Sequence, residues 1–232
     1  MSGLLWAHIP ETSTRKADLV ATERANQITH GAASVLALIA AIVLVEHAVS
    51  RGGEPLLIYG CVCYGVSQFL VYLCSTLSHS YLSGMRKHTF RTLDQVSIFL
   101  MIAGGYTPVG LSVCGDAGGV YVVAAMWVLA LAGIATKLFF RGILNVPVWF
   151  YVAVAWLPIL NTKQLLNWFS QEGLLWILAG GICYMIGTYF LINDQRGRYY
   201  HPTWHVLVIA GSTCHFLVMY RFVVPGLTAA GF

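Results

Sequence analysis

Charge is what this sequence has least of. Lys and Arg number 13 and Asp and Glu 9 among 232 residues, 9% of the chain, where a soluble domain carries about 25%. That scarcity excludes a soluble enzyme and a disordered tail. The basic residues stand singly and form no face, so the net charge of +4 is not the footprint of a nucleic-acid binder. Cysteine also falls well short of the roughly 8–10% that marks a disulfide scaffold. The six cysteines fall mostly inside apolar runs, where each behaves as a small hydrophobe. Only Cys114 stands near an expected loop, so no disulfide framework is implied and a secreted disulfide scaffold is excluded. What the chain does have is 58% apolar residues and 23 glycines. The class that remains is a multi-pass membrane protein.

A helix needs about 20 mostly apolar residues to cross the hydrocarbon core. Seven windows meet or approach that length: Thr29–Val49, Leu56–His79, Leu93–Cys114, Val120–Phe140, Val146–Leu160, Leu174–Ile192 and Pro202–Val223. The fifth is short and carries Pro147 and Pro158, but proline is tolerated where neighbouring helices re-satisfy the backbone. The expectation is an all-α, seven-transmembrane helix bundle over residues 23–232. A short cytoplasmic segment, amphipathic or disordered, precedes it over residues 1–22. The first window is too long, and too far behind a polar stretch, to be a cleaved signal peptide. No separate soluble domain is expected.

The basic residues give the orientation. Ten of the 13 fall in alternate connections: Arg15, Lys16 and Arg24 before the first span, Arg86, Lys87 and Arg91 after the second, Lys137 and Arg141 after the fourth, Arg196 and Arg198 after the sixth. Arg51, Lys163 and Arg221 occupy the other set. The positive-inside rule then places the N-terminus in the cytoplasm and, with seven spans, the C-terminus outside.

With so few charges, each ionisable group inside the membrane is informative. Ser75 and His79 stand four apart at the cytoplasmic end of the second span, and Asp94 opens the third. His201 and His205 stand four apart at the start of the seventh, and His30 starts the first on the same side. Residues at i and i+4 share a helix face, so two such imidazoles can bind one ion. No Glu follows His201, so the HExxH protease motif is absent. A third imidazole at the same depth completes the ligand set of a catalytic zinc site with an open fourth position. Such an ion lowers the pKa of a bound water to about 7. Asp94 can accept that water's proton, and Ser75 can orient a carbonyl or support the site. Metal-free roles compete for each residue, because membrane histidines also serve as interhelical hydrogen-bonding groups. His215 lies about 15 Å deeper along the helix than His205 and reads as a packing residue. Glu46 and His47 read as an interfacial snorkelling pair, and His8 and His88 as solvated. Trp149, Tyr151, Trp156, Trp168, Trp176, Tyr199 and Tyr200 read as an aromatic belt. The pairs Gly104–Gly105 and Gly180–Gly181 read as points of close helix approach.

The same residues carry a family resemblance. Glu23-x-x-Asn26-x-x-Thr29-His30, Ser75-x3-His79, Asp94-x3-Ile98-Phe99 through Gly104-Gly105-Tyr106-Thr107-Pro108, Gly181-x-Cys183-Tyr184-x-x-Gly187 and His201-x3-His205 occur in order. Over residues 20–225 the chain resembles the hemolysin III family, the compact bacterial branch of the progestin and adipoQ receptor superfamily, which includes the adiponectin receptors. The resemblance implies seven helices with the N-terminus inside. It also implies a zinc ion (Zn2+) held by His79, His201 and His205 near the cytoplasmic leaflet. Asp94 would contact the zinc-bound water, and Ser75 matches the superfamily serine. Ceramidase-type activity in that superfamily implies a zinc-dependent amide hydrolase whose partner is a membrane lipid, as substrate or ligand.

Three functions follow as expectations. A lipid hydrolase uses a zinc-activated water, with Asp94 and Ser75 as its candidate catalytic residues. A sensor of membrane lipid state uses a structural zinc. A cytolysin is the poorest fit, since helices this apolar line no water-filled pore. Asp94 separates the first two. Direct ligation closes the site and favours the structural role, whereas a bridging water favours hydrolysis.

Overall fold

The computed structural model describes residues 13–115, 118–140 and 146–229, and every element among them is helical. Helix α1 (Ser13–Ser50) turns through Arg51–Gly53 into α2 (Pro55–His79), whose Pro55 sits in the first turn, where its missing N–H costs no helical bond. Helix α3 (Gly84–Pro108) passes into a π-turn, Val109–Val113, directly after its proline. Helix α4 (Gly119–Phe139) starts from Gly118 at φ 87°, a left-handed backbone that favours glycine.

Both α1 and α3 begin well before their apolar windows. Residues 13–22, expected as a lead, are continuous with α1, and α3 starts at Gly84 where the window starts at Leu93. Arg, Lys and Glu are good helix formers, so the helices extend through polar turns that an apolar window does not register. Residues 1–12, His8 and Arg141 lie outside the described residues, and the side chains of Arg15 and Lys16 are not described.

The fifth window is the one that breaks up. It forms α5 (Val148–Ala155), a 3₁₀ turn over Leu157–Asn161, and α6 (Thr162–Trp168). Pro158 lacks the N–H that a continuing α-helix needs, and its ring crowds the preceding turn. Asn161 is buried at that break, where its Oδ1 accepts from the Tyr106 hydroxyl at 2.8 Å. Helix α7 (Gln171–Ile192) is capped by the Ser170 hydroxyl, which accepts from Gly173 N at 3.3 Å. Helix α8 (Tyr200–Val218) continues through a π-turn, Met219–Val223, into α9 (Val224–Ala229). Six helices are long and apolar enough to cross a membrane: α1, α2, α3 with its π-turn, α4, α7, and α8 with its extension.

The outside of the bundle is apolar. Val35, Leu36, Ile39 and Ile42 on α1 and Leu175, Leu178, Ile182 and Ile186 on α7 are exposed, as lipid-facing surfaces must be. Inside, the main apolar core joins Leu44, Leu57, Tyr64, Phe99, Met126, Val154, Val218 and Val223. Phe99 stacks on Tyr151 at 4.1 Å between centroids. Helix α2 is central, packed between α1 and α3, while α7 rests chiefly on α8. Only one glycine of each pair meets a neighbour. A Cβ on Gly104 would strike Ser67, and one on Gly180 would strike the His215 ring, but Gly105 and Gly181 face open space. His47 also departs from expectation. Glu46 is exposed, yet the His47 ring stacks inward on Tyr220 at 4.4 Å.

Candidate metal centre

At the end of the bundle that carries Arg24, Lys87 and Arg91, the last turn of α2 meets the first turns of α8. His79 comes from α2, and His201 and His205 from α8. The i, i+4 spacing puts the two α8 rings on one face, 4.7 Å apart between centroids. His79 lies 5.2 Å from the His201 ring and 5.0 Å from the His205 ring. Each imidazole offers one nitrogen, and these three atoms lie within 4.8 Å of one another. A tetrahedral ion at about 2.0–2.1 Å sets its nitrogens roughly 3.3 Å apart, so the rings must draw in by up to about 1.5 Å to share one. The three can hold a metal ion.

The second nitrogen of each ring meets an oxygen. His79 Nδ1 faces Glu23 Oε2 at 2.5 Å, and the other carboxylate oxygen of Glu23 accepts from Lys87 Nζ at 3.0 Å. His201 Nδ1 faces Asp194 Oδ2 at 3.5 Å. His205 Nδ1 faces Thr29 Oγ1 at 3.4 Å. The Thr29 hydroxyl already donates to backbone carbonyl oxygens of α1 at 2.9 Å, so toward His205 it presents lone pairs. With Nδ1 the donor in each ring, Nε2 is left as the lone-pair nitrogen, the form that binds metals. His79 Nε2 is buried with no hydrogen-bonding partner among the described residues. A buried polar atom without a partner is costly, and an ion at this point would satisfy it.

His30 is not one of the three converging imidazoles. Its ring stacks on His205 at 3.6 Å between centroids and meets Tyr72 edge-on at 5.1 Å. Asp94 and Ser75 are brought to the same end. The Ser78 hydroxyl reaches Asp94 Oδ2 at 3.2 Å and the Ser75 carbonyl at 2.9 Å, and Ser75 is buried on the same turn of α2. Because Ser78 adjoins His79, this pairing carries Asp94 next to the imidazoles without making it a member of the ligand set. His215 lies apart, with Nε2 3.4 Å from the Ile177 carbonyl and its ring edge-on to Tyr184.

Residue spacing alone does not assign roles to Glu23, Thr29, Lys87, Ser78 or Asp194. A signal for two of them exists: Glu23, Asn26 and Thr29 recur every three residues and so share one polar face of α1. Ser78 stands three after Ser75, again on one face. Asp194 lies in a connecting turn and carries no periodic signal.

Comparison with known proteins follows the same residues. The family described as "Haemolysin-III related" matches residues 19–216, which contain every residue named in this centre. Hemolysin-3 of Bacillus cereus is 37% identical over 216 residues, covering 93% of this chain and 98% of that protein. The Hemolysin-3 homolog of Bacillus subtilis (strain 168) is 34% identical over 209 residues, covering 89% and 97%. More distant is the human Monocyte to macrophage differentiation factor, 25% identical over 167 residues and 68% of each chain. No solved structure matches the chain. A family match of this extent, two relatives above 30% identity and six helices able to span a bilayer lead to one conclusion: the chain is a multi-pass membrane protein that belongs to the haemolysin-III-related family.

Proposed function

We propose that this protein is a zinc-dependent hydrolase of a membrane lipid amide, with His79, His201 and His205 holding the ion and Asp94 as the base. One observation carries the reading: three imidazoles converge with Asp94 beside them but outside their set. Three protein ligands and an open position are the mark of catalytic zinc, whereas structural zinc is closed by four. When bound, the ion supplies Lewis acidity and a more acidic water.

The remaining work falls to the chain. Ser78 holds the Asp94 carboxylate by a hydrogen bond, so that it can take a proton from a water at the open side of the imidazoles. The Ser75 hydroxyl, one turn before His79 on the same helix, is the donor proposed for a substrate carbonyl. A lipid substrate suits the surroundings, since the centre sits in a bundle sheathed by exposed apolar side chains.

The reading includes seven crossings with the basic end in the cytoplasm. Support for the seventh comes from the broken segment. Tyr151 bonds the Gln95 carbonyl at 3.4 Å and Asn161 bonds Tyr106 at 2.8 Å, so α5 and the turn after it run alongside α3 in the same direction.

The test measures zinc content and fatty-acid release together, on detergent-purified wild type and Asp94→Asn, across a panel of lipid amides. Asparagine keeps the size and hydrogen bonding but not the basicity. The variant is expected to keep most of its zinc and lose about 10²–10⁴-fold in rate. Equal rates in the two proteins remove Asp94 from the mechanism. Absence of hydrolysis across the panel hands the site to a lipid sensor with structural zinc.

A further inference from the structure

No ligand comes from α1, yet its side chains reach both ligand-bearing helices and the turn before α8. Asp18 pairs with Arg198 at 2.8 Å, Gln27 bonds Ser80 at 3.0 Å, Asn26 Nδ2 stands 3.5 Å from His79 Nδ1, and Thr29 faces His205. Among these contacts the Glu23 carboxylate differs in kind. It sits between a cation and a ligand ring, with Lys87 on Oε1 and His79 on Oε2, and its side chain and that of Lys87 are each only 17% exposed.

The physical consequence concerns freedom of the His79 ring. Residue 79 ends α2, where helices fray, and an imidazole there can rotate or present either nitrogen. A carboxylate opposite Nδ1 selects the Nδ1–H tautomer, fixes the ring plane and makes Nε2 a better donor to an ion. Lys87 in turn holds the carboxylate, so Glu23 is itself positioned by a charge-assisted bond from α3.

We propose that Glu23, braced by Lys87, is the positioning residue of the metal centre, setting His79 for the ion without touching it. This rests on the reading of His79, His201 and His205 as metal ligands. It makes α1, silent in the ligand set, the helix that determines how tightly the ion is held.

The experiment uses the full chain in detergent. Apparent zinc affinity is measured by competition with a chelator for wild type, Glu23→Gln, Glu23→Ala, Asp18→Asn and His205→Ala. The d–d absorption of the cobalt-loaded proteins reports ligand geometry independently of activity. Loss of an orienting partner typically weakens metal affinity by about 10–100-fold. Glu23→Gln, which keeps a neutral acceptor, is expected near the lower figure and Glu23→Ala near the upper, both with a shifted cobalt spectrum. Asp18→Asn breaks a different anchor of the same helix and is expected to stay within about twofold of wild type in affinity. Should Glu23→Ala fail to fold, the Gln variant and its spectrum still decide. If Glu23→Gln matches wild type while His205→Ala loses zinc, the positioning role is wrong and the ligand set stands. If Asp18→Asn weakens binding as much as Glu23→Gln, helix docking explains the effect and the positioning role is again wrong. If wild type binds no zinc, the ligand set fails and the positioning role with it.

Discussion

The two interiors of this bundle are held by different forces. Where α1, α2 and α8 meet at the basic end, the buried groups are polar: Asn26, His30, Ser75, Ser78 and His205 are each 3% exposed or less. Along α3, α4 and α5 and out to the far end the buried groups are mainly apolar, among them Leu44, Leu57, Phe99, Met126, Val154 and Val223, with Thr107 and Asn161 as hydrogen-bonded insertions. In the apolar region side chains are close to interchangeable by volume, and shape decides the packing. In the polar region each group needs a particular partner at a particular atom, because an unpaired one in a lipid-embedded interior is costly. The contrast teaches where function can reside. The apolar core makes the bundle stable, and the polar seam gives it a site at some cost in stability.

Mutations at each region should therefore part company in their readouts. The largest effect is expected from His79→Ala combined with His205→Ala, which should abolish stoichiometric zinc by metal analysis. It should also remove the ligand-linked part of thermal stability, about 4 kcal/mol when free zinc stands roughly 1,000-fold above its Kd. Retention of full zinc by that double variant would break the comparison at its polar side. Leu57→Ala probes the other side. Leu57 is 1% exposed and stands on α2 about 33 Å from His79 by helix rise. The cavity should cost about 2–5 kcal/mol in detergent unfolding while zinc affinity stays within about twofold. A Leu57→Ala protein that keeps its stability but loses zinc would show that the two regions are not separable. The smallest effect is expected from His215→Ala. This imidazole packs on Gly180 and bonds the Ile177 carbonyl, so zinc content should not change and stability should fall by no more than about 1–3 kcal/mol. Loss of zinc in His215→Ala would mean that the polar region reaches deeper than the three converging rings.

Much of this was legible before any coordinates. Long apolar windows located α1, α2, α3, α4, α7 and α8, because the hydrocarbon thickness sets a length that a sequence must match. The i, i+4 spacing of His201 and His205 placed both rings on one face, since helix period is a local property. The resemblance then pointed to His79 as the third, and the rings do converge. The fifth window was legible as apolar but not as broken. Pro158 can kink a helix or end it, and the choice depends on what meets the freed backbone, here a buried Asn161 bonded to Tyr106 from another helix.

By itself, then, the sequence determined an all-helical membrane bundle, its apolar spans and the depth of its ionisable groups. Composition, helix period and the distribution of charge are properties of single segments. What only the tertiary structure decided is the rotation of those helices about their axes. That rotation turned His30 to stack on His205 in place of joining the three converging imidazoles, and it faced Glu23 toward His79 and Lys87. It also set Ser78 against Asp94 and brought Asp194 to His201. A helix's period says which of its residues share a face, but the direction of that face is fixed by packing among several helices at once. The partners in this centre are contributed by α1, α2, α3, α8 and the turn before α8, and no spacing within one of them encodes the azimuth of another.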